Sequence, residues 1–170
     1  PPAKEIVSYI GTGVRDLIMK SLGHAHSSLR ARAIDIFSSY YIKHPADYSR
    51  LYPHVKEVLG YYVHKRKFIA TNRYKKFADI TLRELGVRDY FEEIVGGDDE
   101  NCLKPSSCVL DKFMPSFNID PARAIIVGDM AIDVETGKNS GIYTCWVTYG
   151  LGKPEDLKGL RPDYIIDDIL

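Results

Sequence analysis

The 170-residue sequence has no surplus of either charge: 23 lysines and arginines stand against 23 aspartates and glutamates, for a formal net charge of zero. That argues against a general nucleic-acid binder, which carries a basic excess to offset phosphate charge, although a local basic patch is compatible with it. Cysteine is scarce. Cys102, Cys108 and Cys145 are an odd, scattered set with no C-x-x-C pair, so the spacing suggests neither a zinc site nor a disulfide framework. The expectation is free thiols in a reducing cytoplasm. No apolar run approaches the roughly 18 residues of a membrane span, and no signal-peptide pattern opens the chain; the expected location is cytoplasmic, with no membrane partner. An initiator methionine is also missing. The chain opens on Pro1-Pro2, which removal of a leading methionine or the loss of an N-terminal segment would explain equally. Internal repeats and low-complexity tracts are absent.

Apolar residues make up 45% of the chain, enough for the core of one ordinary domain, alone or with a small appendage. The first fifty residues read as helical. "VRDLIMKSLG" puts Val14, Leu17, Ile18 and Leu22 on one face, with Gly23 as the stop. "SSLRARAIDIFSSYYIKH" spaces Leu29, Ala33, Ile36, Phe37 and Tyr40 helically, with Ser27 or Ser28 as the cap. No strand is expected before residue 66. Beyond it, short apolar runs at 67–72, within 91–99, at 123–129, 143–150 and 163–168 alternate with helical patterns. One of these should be ended or kinked by Pro115, which lacks an N–H and clashes with the preceding turn. The alternation predicts an α/β fold with a parallel sheet and helices on both faces. The seam between the helical and α/β parts falls near residues 44–55.

In an open parallel sheet, ligands gather beyond the carboxyl ends of the strands. Those ends offer Thr71 and Asn72; Gly96, Gly97 and Asp98, with Lys104-Pro105 beyond; and Gly128 and Asp129, with Asp133 one helical turn on. Magnesium commonly takes one or two carboxylates, with waters and phosphate oxygens completing an octahedron. Asp129 and Asp133 stand four residues apart, so both can address one point at a helix start. The Thr71 hydroxyl and the N–H groups near Asn72 can hold phosphoryl oxygens, and Lys104 can act as a point cation against developing negative charge. Phosphoryl transfer needs little more than such positioning and a nucleophile.

Each piece has a plainer reading. G-D-x-x-x-D is often a solvated turn with a capping aspartate, Thr71 a strand-end residue, Lys104 a surface lysine, and Asp98-Asp99-Glu100 a solvated acidic turn. The order along the chain raises the odds. Competing motifs fail: a P-loop ending at "TGKNS" would need glycine at Ile132 and Ser/Thr at Asn139; "GTG" (11–13) follows no strand; a receiver domain would place its acids first and its lysine last. His24 and His26 read as exposed loop residues rather than ligands, and none of the five histidines has a convincing catalytic partner.

The sequence resembles the haloacid dehalogenase superfamily of phosphatases, and within it the phosphoglycolate phosphatase group. The resemblance covers nearly the whole chain. "IATN" matches the second superfamily motif, "LKP" the third, and "IIVGDMAIDVETGKNSG" the fourth. "LGVRDYFEEIVGGDD" resembles the stretch between the second and third motifs, and "PPAKEIVSYIGTGVRDLI" the start of a helical cap. The implied architecture is a Rossmann-like core at 51–170 that lacks its first strand in this chain, with a partial helical cap at 1–50. The implied roles are catalytic for Thr71, Lys104 and Asp129, metal-binding for Asp129 with Asp133 as a second ligand or its supporting partner, and substrate-binding for Asn72, Gly13 and Arg15. Gly11 and Thr12 would lie in the same cap loop, and Arg15 would hold a substrate carboxylate; its plain alternative is an exposed helix charge. Two departures, Asn139-Ser140 in place of small apolar residues and Pro115 within a helix, do not touch the chemistry. A third does. The first motif, D-x-D, whose leading aspartate is the nucleophile and whose second is the general acid/base, is absent from the sequence.

The resemblance therefore implies a Mg²⁺-dependent phosphatase of a small phosphorylated metabolite, with 2-phosphoglycolate as the candidate, acting as a monomer or homodimer through an aspartyl-phosphate whose nucleophile lies upstream of residue 1. The alternatives are a truncated, non-catalytic phosphate-binding or interaction module, and a phosphosugar mutase of the same superfamily. A dehalogenase fits less well, because the fourth motif is of the metal-binding kind.

Overall fold

The computed structural model describes the backbone of residues 1–170 and the side chains of all but His24, Ala25 and Ser27. In chain order its helices and strands are α1 (Ala3–Val7), α2 (Val14–Leu22), α3 (Arg30–Lys43), α4 (Val55–Tyr61), β1 (Phe68–Ala70), α5 (Lys75–Glu84), β2 (Glu93–Val95), α6 (Cys108–Asp111), α7 (Phe113–Ser116), β3 (Ile125–Gly128), α8 (Ala131–Asn139), β4 (Tyr143–Val147) and β5 (Tyr164–Ile166). Short 3₁₀ turns join several of them. The chain divides into two compact units, Pro1–Leu51 with Arg66–Glu100, and Tyr52–Lys65 with Asn101–Leu170.

In the first unit β1 and β2 pair in parallel, Phe68 opposite Glu93 and Ala70 opposite Val95. Its core forms where α2 buries Val14 and Ile18 against Phe77 of α5. α2 begins after Gly13 (φ 107°) and stops at Gly23 (φ 71°), as its sequence predicts. α3 departs from expectation. Its inward residues are Ala33, Ile34, Phe37 and Tyr41, whereas Leu29, Ile36 and Tyr40 are exposed. The helix carries two overlapping apolar stripes, and tertiary packing selects one. Tyr41 stacks on Phe77 at 4.6 Å, and its hydroxyl lies 2.9 Å from that of Thr81. Nor does a serine cap α3: a 3₁₀ turn over His24–Leu29 leads into it, and Leu29 occupies the cap position without a side-chain hydrogen bond. The side chains of His24 and Ser27 lie outside the described residues.

In the second unit β3, β4 and β5 form a parallel sheet in that order, with Ile125 opposite Tyr143, Gly128 opposite Trp146, and Cys145 opposite Tyr164. α8 lies close against it. A Cβ on Gly137 would come within 2.4 Å of Thr144 and 2.6 Å of Ile126, so only glycine permits this approach. The helix that Pro115 was expected to interrupt breaks at Lys112, between α6 and α7. That is where a continuous helix would need the missing Pro115 N–H. The cysteines require a correction. Cys102 and Cys108 are joined in a disulfide, Cα atoms 5.4 Å apart, and only Cys145 is free, buried on β4. The loop between them doubles back on itself, a feature their spacing does not announce. No helix among the described residues is long and apolar enough to cross a membrane.

Candidate active site

At the mouth of β3 the chain passes from Gly128 through Asp129 into α8. Asp133, in the first turn of that helix, uses both carboxylate oxygens. Oδ1 takes the Lys104 ammonium at 2.6 Å, and Oδ2 accepts the Met130 N–H at 3.0 Å, so the same carboxylate caps the helix. Both partners of the ion pair are about a tenth exposed. Gly128 is obligatory beneath it, because a Cβ there would lie 2.3 Å from the Asp133 carboxyl carbon. Asn139 reaches the same lysine loop from the far end of α8, donating from Nδ2 to the Pro105 carbonyl at 2.8 Å. The Lys104–Pro105 peptide bond is cis.

Asp129 is held differently. Its carbonyl accepts the Trp146 indole N–H at 2.9 Å, and its Oδ2 accepts the Leu151 N–H at 2.7 Å. The loop after β4 wraps it closely: a Cβ on Gly150 would lie 2.1 Å from Asp129 Cβ, and one on Gly152 would lie 2.1 Å from its carbonyl oxygen. These loop residues escaped the sequence reading. The available signal was G-L-G beyond an apolar strand, with Thr148 and Tyr149 between them, a spacing that lets backbone approach another group at two points. Asp129 Oδ1 has no hydrogen-bond or ion-pair partner among the described residues. It is therefore an open, hard oxygen donor. No group of three or more His, Cys, Asp or Glu able to hold a metal occurs among the described residues. Asp129 with waters and phosphate oxygens still fits magnesium's habit of using few protein ligands.

The first unit holds the other candidates. Thr71 follows β1 directly, donating its N–H to the Val95 carbonyl; its hydroxyl accepts the Arg73 N–H at 3.1 Å, which leaves the hydroxyl hydrogen to give elsewhere. Asn72 is 5% exposed, and its amide donates to the Gly11 carbonyl at 2.8 Å, which ties the Gly11–Gly13 loop to the end of β1. Both glycines have positive φ, 110° and 107°, conformations that other residues rarely adopt. Asp98 is no idle surface acid, as it accepts the Lys75 N–H at 2.8 Å at the start of α5. Glu100 likewise has a partner. It pairs with Arg15, and that hydrogen bond holds the Arg15 guanidinium above its usual range. Lys104, Asp129 and Asp133 thus belong to the second unit, while Thr71, Asn72, Gly13 and Arg15 belong to the first.

The sequence model of the haloacid dehalogenase-like hydrolases matches residues 1–147. The chain belongs to that family. Among haloacid dehalogenase-like hydrolases it is similar to the phosphoglycolate phosphatase of Vibrio vulnificus, 31% identical over 97% of this chain and 76% of the relative. That of Neisseria meningitidis is 32% identical over 99% and 76%. A solved haloacid dehalogenase-like hydrolase from Streptococcus pneumoniae superposes with a TM-score of 0.80 at 25% identity, over 99% of this chain and 78% of that one. A Haemophilus somnus structure, described as a predicted phosphoglycolate phosphatase, shares the fold with a TM-score of 0.87 at 24% identity, over 99% and 79%. The family member described here is phosphoglycolate phosphatase-like, and its class is that of the phosphoric monoester hydrolases.

Proposed function

We propose that this chain supplies most of a Mg²⁺-dependent phosphatase of a small phosphate monoester, with 2-phosphoglycolate the first substrate to try. The observation that carries this reading is the Lys104–Asp133 ion pair at 2.6 Å, set one helical turn from Asp129 with its open carboxylate oxygen. Both oxygens of Asp133 are already engaged, which favours an orienting role for it and leaves Asp129 as the ligand. Bound Mg²⁺ would offset charge on the transferring phosphoryl oxygens.

The remaining roles fall to the chain's own groups. Lys104, held by Asp133, presents a cation to the phosphoryl group and its attacker. Thr71 donates its hydroxyl hydrogen to a phosphoryl oxygen. Asn72 keeps the Gly11–Gly13 loop on the end of β1, and Arg15, now paired with Glu100, exchanges that partner for the substrate carboxylate. The nucleophile is an aspartate of a D-x-D strand preceding residue 1. It attacks phosphorus, the alcohol leaves, and water hydrolyses the acyl phosphate. Residues 1–50 serve as part of a cap over a core formed by 51–170. The enzyme works in the cytoplasm, as a monomer or homodimer, without nucleic-acid or membrane partners.

The test joins an upstream strand ending in D-x-D to this chain and measures phosphate release from 2-phosphoglycolate with Mg²⁺. Asp129→Ala should lower kcat/KM on the order of a hundredfold or more. Undiminished activity in that variant would overturn the metal assignment. Turnover of a phosphosugar isomer without phosphate release would point to a mutase.

A further inference from the structure

The disulfide and the lysine share one loop. Cys102 and Cys108 are six residues apart and joined; the ring they close contains Leu103, Lys104, Pro105, Ser106 and Ser107. Within the ring the Ser106 N–H reaches the Leu103 carbonyl at 2.9 Å, and the Cys108 N–H reaches Ser106 Oγ at 3.2 Å. Beyond the ring, Lys104 binds Asp133 and Pro105 accepts from Asn139, so two points on α8 hold it. Cys108 opens α6, whose next two residues, Val109 and Leu110, are buried. Between the end of β2 at Val95 and Cys108 the chain has no regular structure. Apart from the disulfide, the register of Lys104 depends on side-chain contacts and tight local turns.

We infer that Cys102 and Cys108 form a thiol–disulfide exchange site, open to small disulfides and dithiols, whose oxidation state sets how firmly Lys104 is held against Asp133. A loop without regular structure opens locally at low cost. Cross-linking its two ends removes many of the open conformations. The oxidised chain therefore holds Lys104 in place, and the reduced chain lets the loop open more often. Cys102 is 9% exposed and Cys108 is half-buried, which makes Cys108 the entry point.

The exchange balances. The Cys108 thiolate attacks one sulfur of a small disulfide and releases one thiolate. The Cys102 thiolate then attacks Cys108 of the mixed disulfide and releases the second. The two protein sulfurs are oxidised, the small disulfide is reduced to two thiols, and the two protons given up by Cys102 and Cys108 pass to them. A dithiol reverses the sequence. The proposal stands on the loop and does not depend on the reaction proposed above, which it touches only through Lys104.

The test uses the whole chain and needs no turnover. It is equilibrated with mixtures of reduced and oxidised glutathione, its free thiols are alkylated, and its mass is read. The Leu103, Lys104, Ser106 and Ser107 amides are followed by hydrogen exchange in both states. The expected result is an internal disulfide in oxidised glutathione, with loop exchange on the order of tenfold slower than in the reduced chain. Cys102→Ser and Cys108→Ser should exchange like reduced wild type in either buffer. Linkage adds a second readout: if the disulfide and the ion pair favour one loop conformation, Lys104→Met must weaken disulfide formation several-fold. Two free thiols or only glutathione adducts in the oxidised buffer would overturn the proposal. So would loop exchange that is the same in both states.

Discussion

At the scale of the residue, the weight rests on groups that are nearly dry. Lys104 and Asp133 are each about a tenth exposed, and removing one partner of such a pair leaves a charge with little water to take it up. Lys104→Met should cost about 3 kcal/mol of unfolding free energy, the lower end for a broken buried pair. Asp133→Ala should cost about 1 kcal/mol more, because it also removes the acceptor of the Met130 N–H at the start of α8. Urea denaturation of the two variants checks the order; equal losses would mean that the cap contributes nothing. Glycines give a contrast of sign. Gly150→Ala places a Cβ 2.1 Å from that of Asp129 and should destabilise by about 1–3 kcal/mol, as overpacking does. Gly60, within α4, has nothing within 4 Å of such a Cβ and no positive φ, so Gly60→Ala should stabilise by about 0.5–1 kcal/mol. Thermal melts of both chains measured together decide it.

At the scale of the element, β4 and β5 are joined by more than their ladder. The Asp163 carboxylate takes the Lys138 ammonium at 2.7 Å, the Thr144 hydroxyl at 2.7 Å and the Thr144 N–H at 2.8 Å, which binds the approach to β5 to β4 and α8. These donors, Lys138 foremost, hold the Asp163 carboxyl well below its usual 3.8, at about 2. Because the folded value is depressed, the stabilisation is fully present above about pH 4. It is lost as the pH falls through about 2. The difference in stability between wild type and Asp163→Asn should therefore be constant near neutrality and shrink as the pH falls from about 4 through about 2, as acid titration by circular dichroism would show; a gap at pH 2 as large as at neutrality would rule this origin out. What was legible in the sequence also sorts by element. The strands and the ends of α2, α5 and α8 could be read because Gly23, Gly86 and Gly141 mark them, each with positive φ. The rotation of α3 could not. Its two apolar stripes differ by one residue, and the choice between them belongs to Phe77, forty residues further along. The acids that follow β2 do stand in an exposed turn, as their sequence suggests, but their partners could not be read: what makes Asp98 a partner of the Lys75 N–H is a close approach by Gly96, whose Cβ would sit 2.3 Å from that nitrogen. At the candidate site, motif order singles out Lys104, Asp129 and Asp133, and the structure pairs the first with the last, whereas Gly150, Leu151 and Gly152 approach Asp129 through backbone and leave almost no side-chain signature.

At the scale of the whole molecule, the balance of charge that opened the sequence has a physical consequence. With 23 basic and 23 acidic side chains and a pI near 7.4, the chain has little net repulsion between copies at neutral pH, and colloidal association then depends on what the surface exposes. Tyr61 and Val63 are 74% and 72% exposed, with Tyr62 between them at 45%, an apolar cluster at the end of α4. Close to its isoelectric point the chain should therefore precipitate most readily near pH 7.4. It should become more tolerant toward pH 6, where net positive charge grows, and toward pH 9, where net negative charge grows. Two causes, the missing repulsion and the apolar cluster, separate cleanly by substitution. Val63→Glu and Val63→Lys shift the net charge in opposite directions while removing the same apolar side chain. If the cluster drives association, both raise the polyethylene glycol concentration needed to precipitate the chain at pH 7.4, and by similar amounts. If charge alone governs, the two variants instead move the pH of minimum solubility in opposite directions and leave its depth unchanged.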